Sequence, residues 1–81
     1  MDERFYEAPY AYGAHLGWDM VDWSDGYARF DMAIRDHHRN RHGTLHGGAH
    51  ASLLDTVMGY AGCWTGDPDH RQMCLTLNLN V

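Results

Sequence analysis

The segment from Ala49 to Trp64 restricts the fold most, because it is apolar on almost every side of a helix. Its apolar members are Ala49, Ala51, Leu53, Leu54, Val57, Met58, Tyr60, Ala61, Cys63 and Trp64. A helix that is hydrophobic all round is normally a buried one. Gly66 and Pro68 follow it as a stop signal. The sequence therefore predicts a central buried helix over residues 47–64, which other elements of the fold must enclose.

Residues 16–36 have the pattern of a β-hairpin. Residues 16–23 alternate imperfectly between apolar and polar side chains, and Asp25-Gly26, a strong hairpin signal, follows them. From Tyr27 to Asp36 the alternation is clean. Its apolar face consists of Ala28, Phe30, Met32 and Ile34. A period of two with one apolar face is typical of an antiparallel strand that is half exposed to water.

The two ends of the chain flank this hairpin and helix. Residues 1–14 lack sustained periodicity, and we interpret them as an N-terminal arm that packs its aromatic side chains on the body. Residues 73–81 alternate again and predict a further strand. The order hairpin, helix, strand indicates an α+β fold. Three strands enclose an all-apolar helix poorly, so either further sheet lies outside this chain or a second subunit supplies it.

Composition and charge exclude several classes of function. The chain of 81 residues has a net charge of −5, and all six of its cationic residues are arginine. This balance argues against a nucleic-acid partner and against docking on an anionic membrane surface. An anionic ligand such as coenzyme A would need a local basic pocket. No apolar run approaches the ~18–20 residues that span a bilayer, and Met1-Asp2-Glu3-Arg4 is unlike a secretory signal, so we expect a cytoplasmic location.

Asp55 is the only acidic residue between Gly43 and Thr65, two turns into the apolar helix. Burial of an unpaired carboxylate is costly, and it is normally resolved by a partner, a raised pKa or a catalytic role. Asp55 is therefore a candidate catalytic residue. The alternative is that its side chain points to solvent through a gap or caps a neighbouring element.

Gly47-Gly48 lies where a polar loop becomes the helix. Unblocked N–H groups at a helix N-terminus attract negative charge, such as the charge that a thioester carbonyl acquires when it is attacked. A plain tight turn is the alternative. Gly48 and Asp55 are about 10 Å apart along one helix, too far for both to act on one carbon. Two antiparallel copies of the helix would bring the aspartate of one to the glycines of the other.

The histidines and cysteines raise the question of a metal site. His42, His46 and His50 are spaced four residues apart, and two such histidines on one helix can chelate zinc. Glycines within that span argue against a continuous helix there, and no cysteine lies close by. We therefore expect no metal, and histidines that are solvated or that order a loop. Cys63 and Cys74 are interpreted as buried structural thiols, since their spacing suggests no disulfide.

Three parts of the sequence belong together as a pattern. They are Asn40-Arg41-His42-Gly43-Thr44-Leu45-His46-Gly47-Gly48, Ser52-Leu53-Leu54-Asp55 and Leu77-Asn78-Leu79-Asn80-Val81. Each part alone is a weak signal, but at this spacing the combination resembles the phenylacetate-pathway (PaaI-like) thioesterases of the hotdog-fold 4-hydroxybenzoyl-CoA thioesterase superfamily. The resemblance runs from Leu16 to the last residue.

This resemblance implies a hotdog fold, in which an antiparallel sheet wraps around a long buried helix. It implies a homodimer or a dimer of dimers, with active sites between subunits. By position, the Gly47 N–H would hold the thioester carbonyl, Asn40 would help to hold the carbonyl or the water, and Asp55 of the opposing subunit would be the general base or nucleophile. The implied reaction is hydrolysis of an acyl-CoA thioester to the free acid and coenzyme A, without a cofactor.

Further substrate-binding positions follow from the same resemblance. His46 and Gly48 belong to the turn around the carbonyl, and Cys74 falls about where some relatives place a water-orienting serine or threonine. Relatives continue past the Leu-Asn strand, so we expect this chain to lack its C-terminal strands. The alternative function is a non-catalytic hotdog subunit that binds acyl-CoA or a protein partner.

Overall fold

Two strands and one long helix form the body of the computed structural model, which describes residues 1–81. The elements in chain order are a 3-10 turn at Glu3–Phe5, α1 at Ala11–Leu16, β1 at Trp18–Ser24, β2 at Tyr27–Met32, a second 3-10 turn at Asp36–His38 and α2 at Gly47–Gly62. The strands form a two-stranded antiparallel sheet, and α2 contacts both of them. This is a small α+β structure. None of its helices combines the length and the apolar character needed to cross a membrane.

The hairpin predicted over residues 16–36 is confirmed over Trp18–Met32, and it contains a bulge that explains the imperfect alternation of β1. The second strand ends four residues before the predicted Asp36, because Met32 pairs with Trp18, the first residue of β1. Met20 pairs with Phe30 and Asp22 pairs with Arg29, so Val21 is an extra residue on β1. A bulge shifts the alternation by one residue. As a result, Met20 and Trp23, three positions apart, are both buried.

An aromatic cluster joins the sheet to α2. Phe5, Met20 and Trp23 form the buried centre of this cluster, and Tyr60 and Trp64 pack against it. The Trp23 indole Nε1 donates a hydrogen bond to the Tyr60 carbonyl oxygen at 2.8 Å. The edge-to-face packing of Trp23 on Tyr60, with ring centroids 5.1 Å apart, adds a favourable aromatic contact. The N-terminal arm thus packs an aromatic side chain, Phe5, on the body, as predicted.

The prediction that the central helix is buried is wrong for this chain. The helix begins at Gly47, as predicted, and ends at Gly62, two residues early, but none of its residues is fully buried. Two strands cover only one side of a helix about 10 Å across. The opposite side therefore faces solvent, and Met58, for example, is 51% exposed.

The strand predicted over residues 73–81 does not form. This segment makes no backbone hydrogen bond. Its alternating apolar side chains lie in solvent, with Leu77 98% exposed. A strand is stabilised by ladder hydrogen bonds and by cross-strand contacts, and no neighbouring strand supplies them here.

Candidate active site

The polar loop before α2 folds back on itself as a narrow hairpin. Arg39 and Leu45 form an isolated antiparallel bridge, and the His46 N–H donates to the His38 carbonyl at 2.7 Å. The Asn40 N–H donates to the Thr44 carbonyl at 2.8 Å. We call residues 38–46 the basic loop. These hydrogen bonds fix the direction in which the backbone enters α2.

Asn40 holds the tip of the basic loop through its side-chain oxygen. The Oδ1 atom accepts hydrogen bonds from the His42 N–H at 2.9 Å and from the Thr44 N–H and hydroxyl, both at 3.2 Å. Its Nδ2 amide group makes no hydrogen bond within the chain and keeps both donors. Half-buried Asn40 therefore combines a structural oxygen with an amide nitrogen that is available to a ligand.

The helix N-terminus leaves one of its two glycines with an available donor. His46 caps α2, because its Nδ1 atom accepts the Gly48 N–H at 2.8 Å. The Gly47 N–H makes no hydrogen bond, and an added Cβ at Gly47 would meet nothing within 4 Å. An added Cβ at Gly48 would lie 3.1 Å from His46 Nδ1. Gly47 is thus the open donor, while His46 and Gly48 shape the turn around it.

Asp55 is half-buried and has a hydroxyl partner. Its Oδ1 atom accepts a hydrogen bond from the Thr76 hydroxyl at 2.5 Å. The second oxygen, Oδ2, has no partner within the chain. A carboxylate held by one oxygen and open at the other is suited to accept a proton from a water molecule.

Thr76 is a candidate site residue that was not predicted from the sequence. The sequence placed Cys74, Thr76, Asn78 and Asn80 on one face of the predicted strand, and a hydroxyl two residues after Cys74 on that face was the available signal. Thr76 contacts Asp55, although the segment that carries it is not a strand.

The role predicted for Cys74, and the expectation of two free thiols, are both wrong in this structure. The Sγ atoms of Cys63 and Cys74 are bonded as a disulfide, and the Cα atoms lie 6.6 Å apart. A disulfide sulfur has no S–H to orient water. The bond instead joins the end of α2 to the segment that carries Thr76.

A cavity of about 1010 Å³ lies beside Asp55. Its wall includes the two halves of the disulfide, Thr76, and a polar group made of Glu7, Tyr60 and Arg71. The Tyr60 hydroxyl donates to Glu7 at 2.8 Å, and Arg71 contacts the other Glu7 oxygen at 2.6 Å. Burial raises the pKa of the Tyr60 phenol, and the hydrogen bond to Glu7 raises it further. The cavity therefore combines an apolar lining with a carboxylate on one wall and a fixed polar group on another.

The predicted site residues fall into two groups on one chain. Asn40, His46, Gly47 and Gly48 lie together at the start of α2. Asp55 lies eight residues after Gly47, which is about 12 Å along the helix axis. The structure does not bring Asp55 to the Gly47 N–H within one chain. No group of three or more histidine, cysteine, aspartate or glutamate side chains is arranged to hold a metal ion.

Comparison with solved structures shows that part of this chain has a structural relative. The chain is similar to the structure of the conserved protein PA5202 from Pseudomonas aeruginosa, with 40% sequence identity and a TM-score of 0.63. The similarity covers 74% of this chain and 46% of that chain, so this chain spans about half the length of that relative. No protein-family model matches the chain, and no curated protein matches it. The similarity therefore supports a shared fold over the matched region.

Proposed function

We propose that this chain belongs to a hotdog-fold acyl-CoA thioesterase of the PaaI-like type, and that Asp55 is its catalytic carboxylate. The observation that carries the proposal is the state of Asp55, which is half-buried on the wall of a large cavity, held at Oδ1 by Thr76 and open at Oδ2. A carboxylate in this setting is poised for proton transfer.

The proposed reaction assigns one step to each of the two groups of residues. Water adds to the thioester carbonyl carbon while Asp55 Oδ2 accepts a proton from that water. The carbonyl oxygen gains negative charge and is stabilised by the Gly47 N–H and by the Asn40 amide. The C–S bond then breaks, the sulfur leaves as the thiolate of coenzyme A, and the acid is released. Asp55 as a nucleophile that forms an acyl anhydride is the second form of the same chemistry.

The separation of the two groups requires two chains. A reacting carbon must lie within about 3–3.5 Å of the attacking group, and the 12 Å between Gly47 and Asp55 of one helix is about four times too long. In a homodimer with antiparallel helices, Asp55 of one subunit faces Gly47 of the other. The half-exposed helix and the solvent-facing residues 73–81 are consistent with a second subunit, either in a dimer or in a dimer of dimers.

The test is hydrolysis of a panel of acyl-CoA thioesters, followed with a thiol-trapping dye. We expect Asp55→Asn to lower kcat by about 100-fold to 10,000-fold, the range for a lost general base. Asp69→Asn is the matched control, because Asp69 is exposed and its carboxylate makes no hydrogen bond. Full activity in Asp55→Asn would remove the proposal. Binding of acyl-CoA without turnover by the unmodified protein would favour a non-catalytic binding subunit.

A further inference from the structure

Two of the six arginines of this acidic protein have no carboxylate partner, and both lie in one stretch. Four of them form ion pairs: Arg4 with Asp2, Arg29 with Asp31, Arg39 with Asp36, and Arg71 with Glu7. The two others, Arg35 and Arg41, have no carboxylate within 4.0 Å. Both lie in residues 35–41, and Arg41 is in the basic loop.

The local charge of this stretch is opposite to that of the whole chain. Residues 35–46 contain three arginines and one aspartate, in a protein of net charge −5. That aspartate, Asp36, has a fully exposed side chain and contacts Arg39 only loosely, at 3.7 Å. Four of the seven histidines also lie in this stretch. A concentration of cations in an otherwise acidic surface attracts anions locally.

The basic loop presents Arg41 and His42 at a fixed tip. The Gly43 N–H donates to the Asn40 carbonyl at 3.0 Å, so Arg41 and His42 are the two central residues of a tight turn. Gly43 has a φ of 81°, which glycine adopts without steric cost. The Arg39 guanidinium donates a hydrogen bond to the Gly43 carbonyl at 2.8 Å and stabilises the turn. The Arg41 guanidinium itself contacts only the His42 ring, at 3.4 Å, and keeps its other donors for a ligand.

From this arrangement we infer that the basic loop binds the phosphate groups of coenzyme A, with Arg41 as the principal contact. This inference rests on the proposed function, because it assigns a place to the nucleotide end of the same substrate. Guanidinium groups bind phosphate through parallel N–H donors. The pantetheine arm separates the thioester from the phosphates, so in this proposal the phosphates bind outside the cavity. The basic loop lies outside it too, and its last residue, His46, precedes the Gly47 N–H that would hold the carbonyl.

The experiment is a direct binding measurement that does not require turnover. Isothermal titration calorimetry with coenzyme A is run on the unmodified protein, Arg41→Gln, Arg41→Lys and Arg29→Gln. Arg29→Gln is the matched control, because it makes the same charge change at an exposed arginine on β2. We expect Arg41→Gln to weaken binding about threefold to tenfold, Arg41→Lys to weaken it less, and Arg29→Gln to leave it unchanged. The loss in Arg41→Gln should shrink as the salt concentration rises.

Two further measurements are made. The first distinguishes coenzyme A from other phosphate ligands, and the second distinguishes the binding proposal from the catalytic proposal. Inorganic pyrophosphate should bind more weakly than coenzyme A. Equal affinity for the two ligands would make the loop a general phosphate site and overturn the assignment to coenzyme A. Equal effects of Arg41→Gln and Arg29→Gln would also overturn it. An acyl N-acetylcysteamine thioester has no phosphate, so Arg41→Gln should raise KM for acyl-CoA and leave KM for this substrate unchanged. Absence of hydrolysis of both thioesters, with coenzyme A binding still weakened in Arg41→Gln, would refute the catalytic proposal and keep the binding site.

Discussion

His38 is the only large side chain that is buried almost completely, with 1% of its surface exposed, and its replacement by leucine is a sharp test of the fold. Its Nδ1 atom accepts the Arg35 N–H at 2.8 Å, and its Nε2 atom lies 2.5 Å from the Leu16 carbonyl oxygen. Because Nδ1 accepts, the ring proton is on Nε2, and it is donated to Leu16. The ring therefore ties the start of the basic loop to the end of α1.

The size of the effect follows from the two backbone groups that lose their partner. In His38→Leu, the Arg35 N–H and the Leu16 carbonyl lose their part-buried hydrogen bonds, at a cost of about 1–2 kcal/mol each, the lower part of the range for an unsatisfied buried group. The larger apolar surface of leucine offsets about 1 kcal/mol. The free energy of unfolding should fall by about 1–3 kcal/mol, a large part of the ~5–15 kcal/mol of a typical domain.

Urea denaturation followed by tryptophan fluorescence measures this change. The midpoint should fall by about 1–3 M, at the slope typical of small proteins. His70→Leu is the control, because the His70 ring is exposed and makes no hydrogen bond. Midpoints of His38→Leu and His70→Leu that agree within error would refute the reasoning. Hydrogen exchange gives a second readout, since the Arg35 amide should be protected in the unmodified protein and should exchange fast in His38→Leu.

Three further predictions follow from single contacts. Gly13→Ala should destabilise the fold by about 1–3 kcal/mol in thermal unfolding, because the added Cβ would lie 2.2 Å from Trp18 Nε1; Gly59→Ala, with nothing within 4 Å, should not. The raised pKa of Tyr60 lets its phenol keep the proton in the folded state at pH values where the unfolded chain loses it. Its contribution to stability is therefore complete below about pH 10 and falls as the pH rises further. This alkaline loss of stability should be smaller in Tyr60→Phe. Thr76→Val removes the hydroxyl from Asp55 and should lower kcat about tenfold with little change in KM; an unchanged kcat would show that Thr76 does not position the carboxylate.

The sequence predicts those parts of the fold whose signals are local. Clean alternation after Asp25-Gly26 predicts β2, and the turn from Gly47 into an apolar run predicts the start of α2. The bulge at Val21 could be recognised only from the structure, in which Met20 and Trp23 share a face. No particular residue type marks a shift of one residue in the sequence. The predictions of β2 and of the start of α2 are correct because each depends on residues that are close in sequence.

The remaining errors concern contacts between distant residues. Residues 73–81 have the period of a strand, but a strand needs a partner, and this chain gives it none. The bond between Cys63 and Cys74 depends on the path of the chain after α2, which spacing alone does not fix. At the candidate site, the roles of Asn40, Gly47 and Asp55 stay predictions from their pattern, whereas the contact of Thr76 with Asp55 required the structure.

In the proposed active site, Asp55 of one subunit acts together with Asn40 and Gly47 of another, and mixing two inactive variants tests this arrangement directly. Asp55→Asn and Asn40→Ala are purified separately, unfolded, mixed in equal amounts and refolded together. In mixed dimers one of the two sites receives an intact Asp55 and an intact Asn40, so about a quarter of the acyl-CoA hydrolysis of the unmodified protein should return. A mixture as inactive as either variant alone, in a sample shown by sedimentation to contain dimers, would contradict a site shared between subunits.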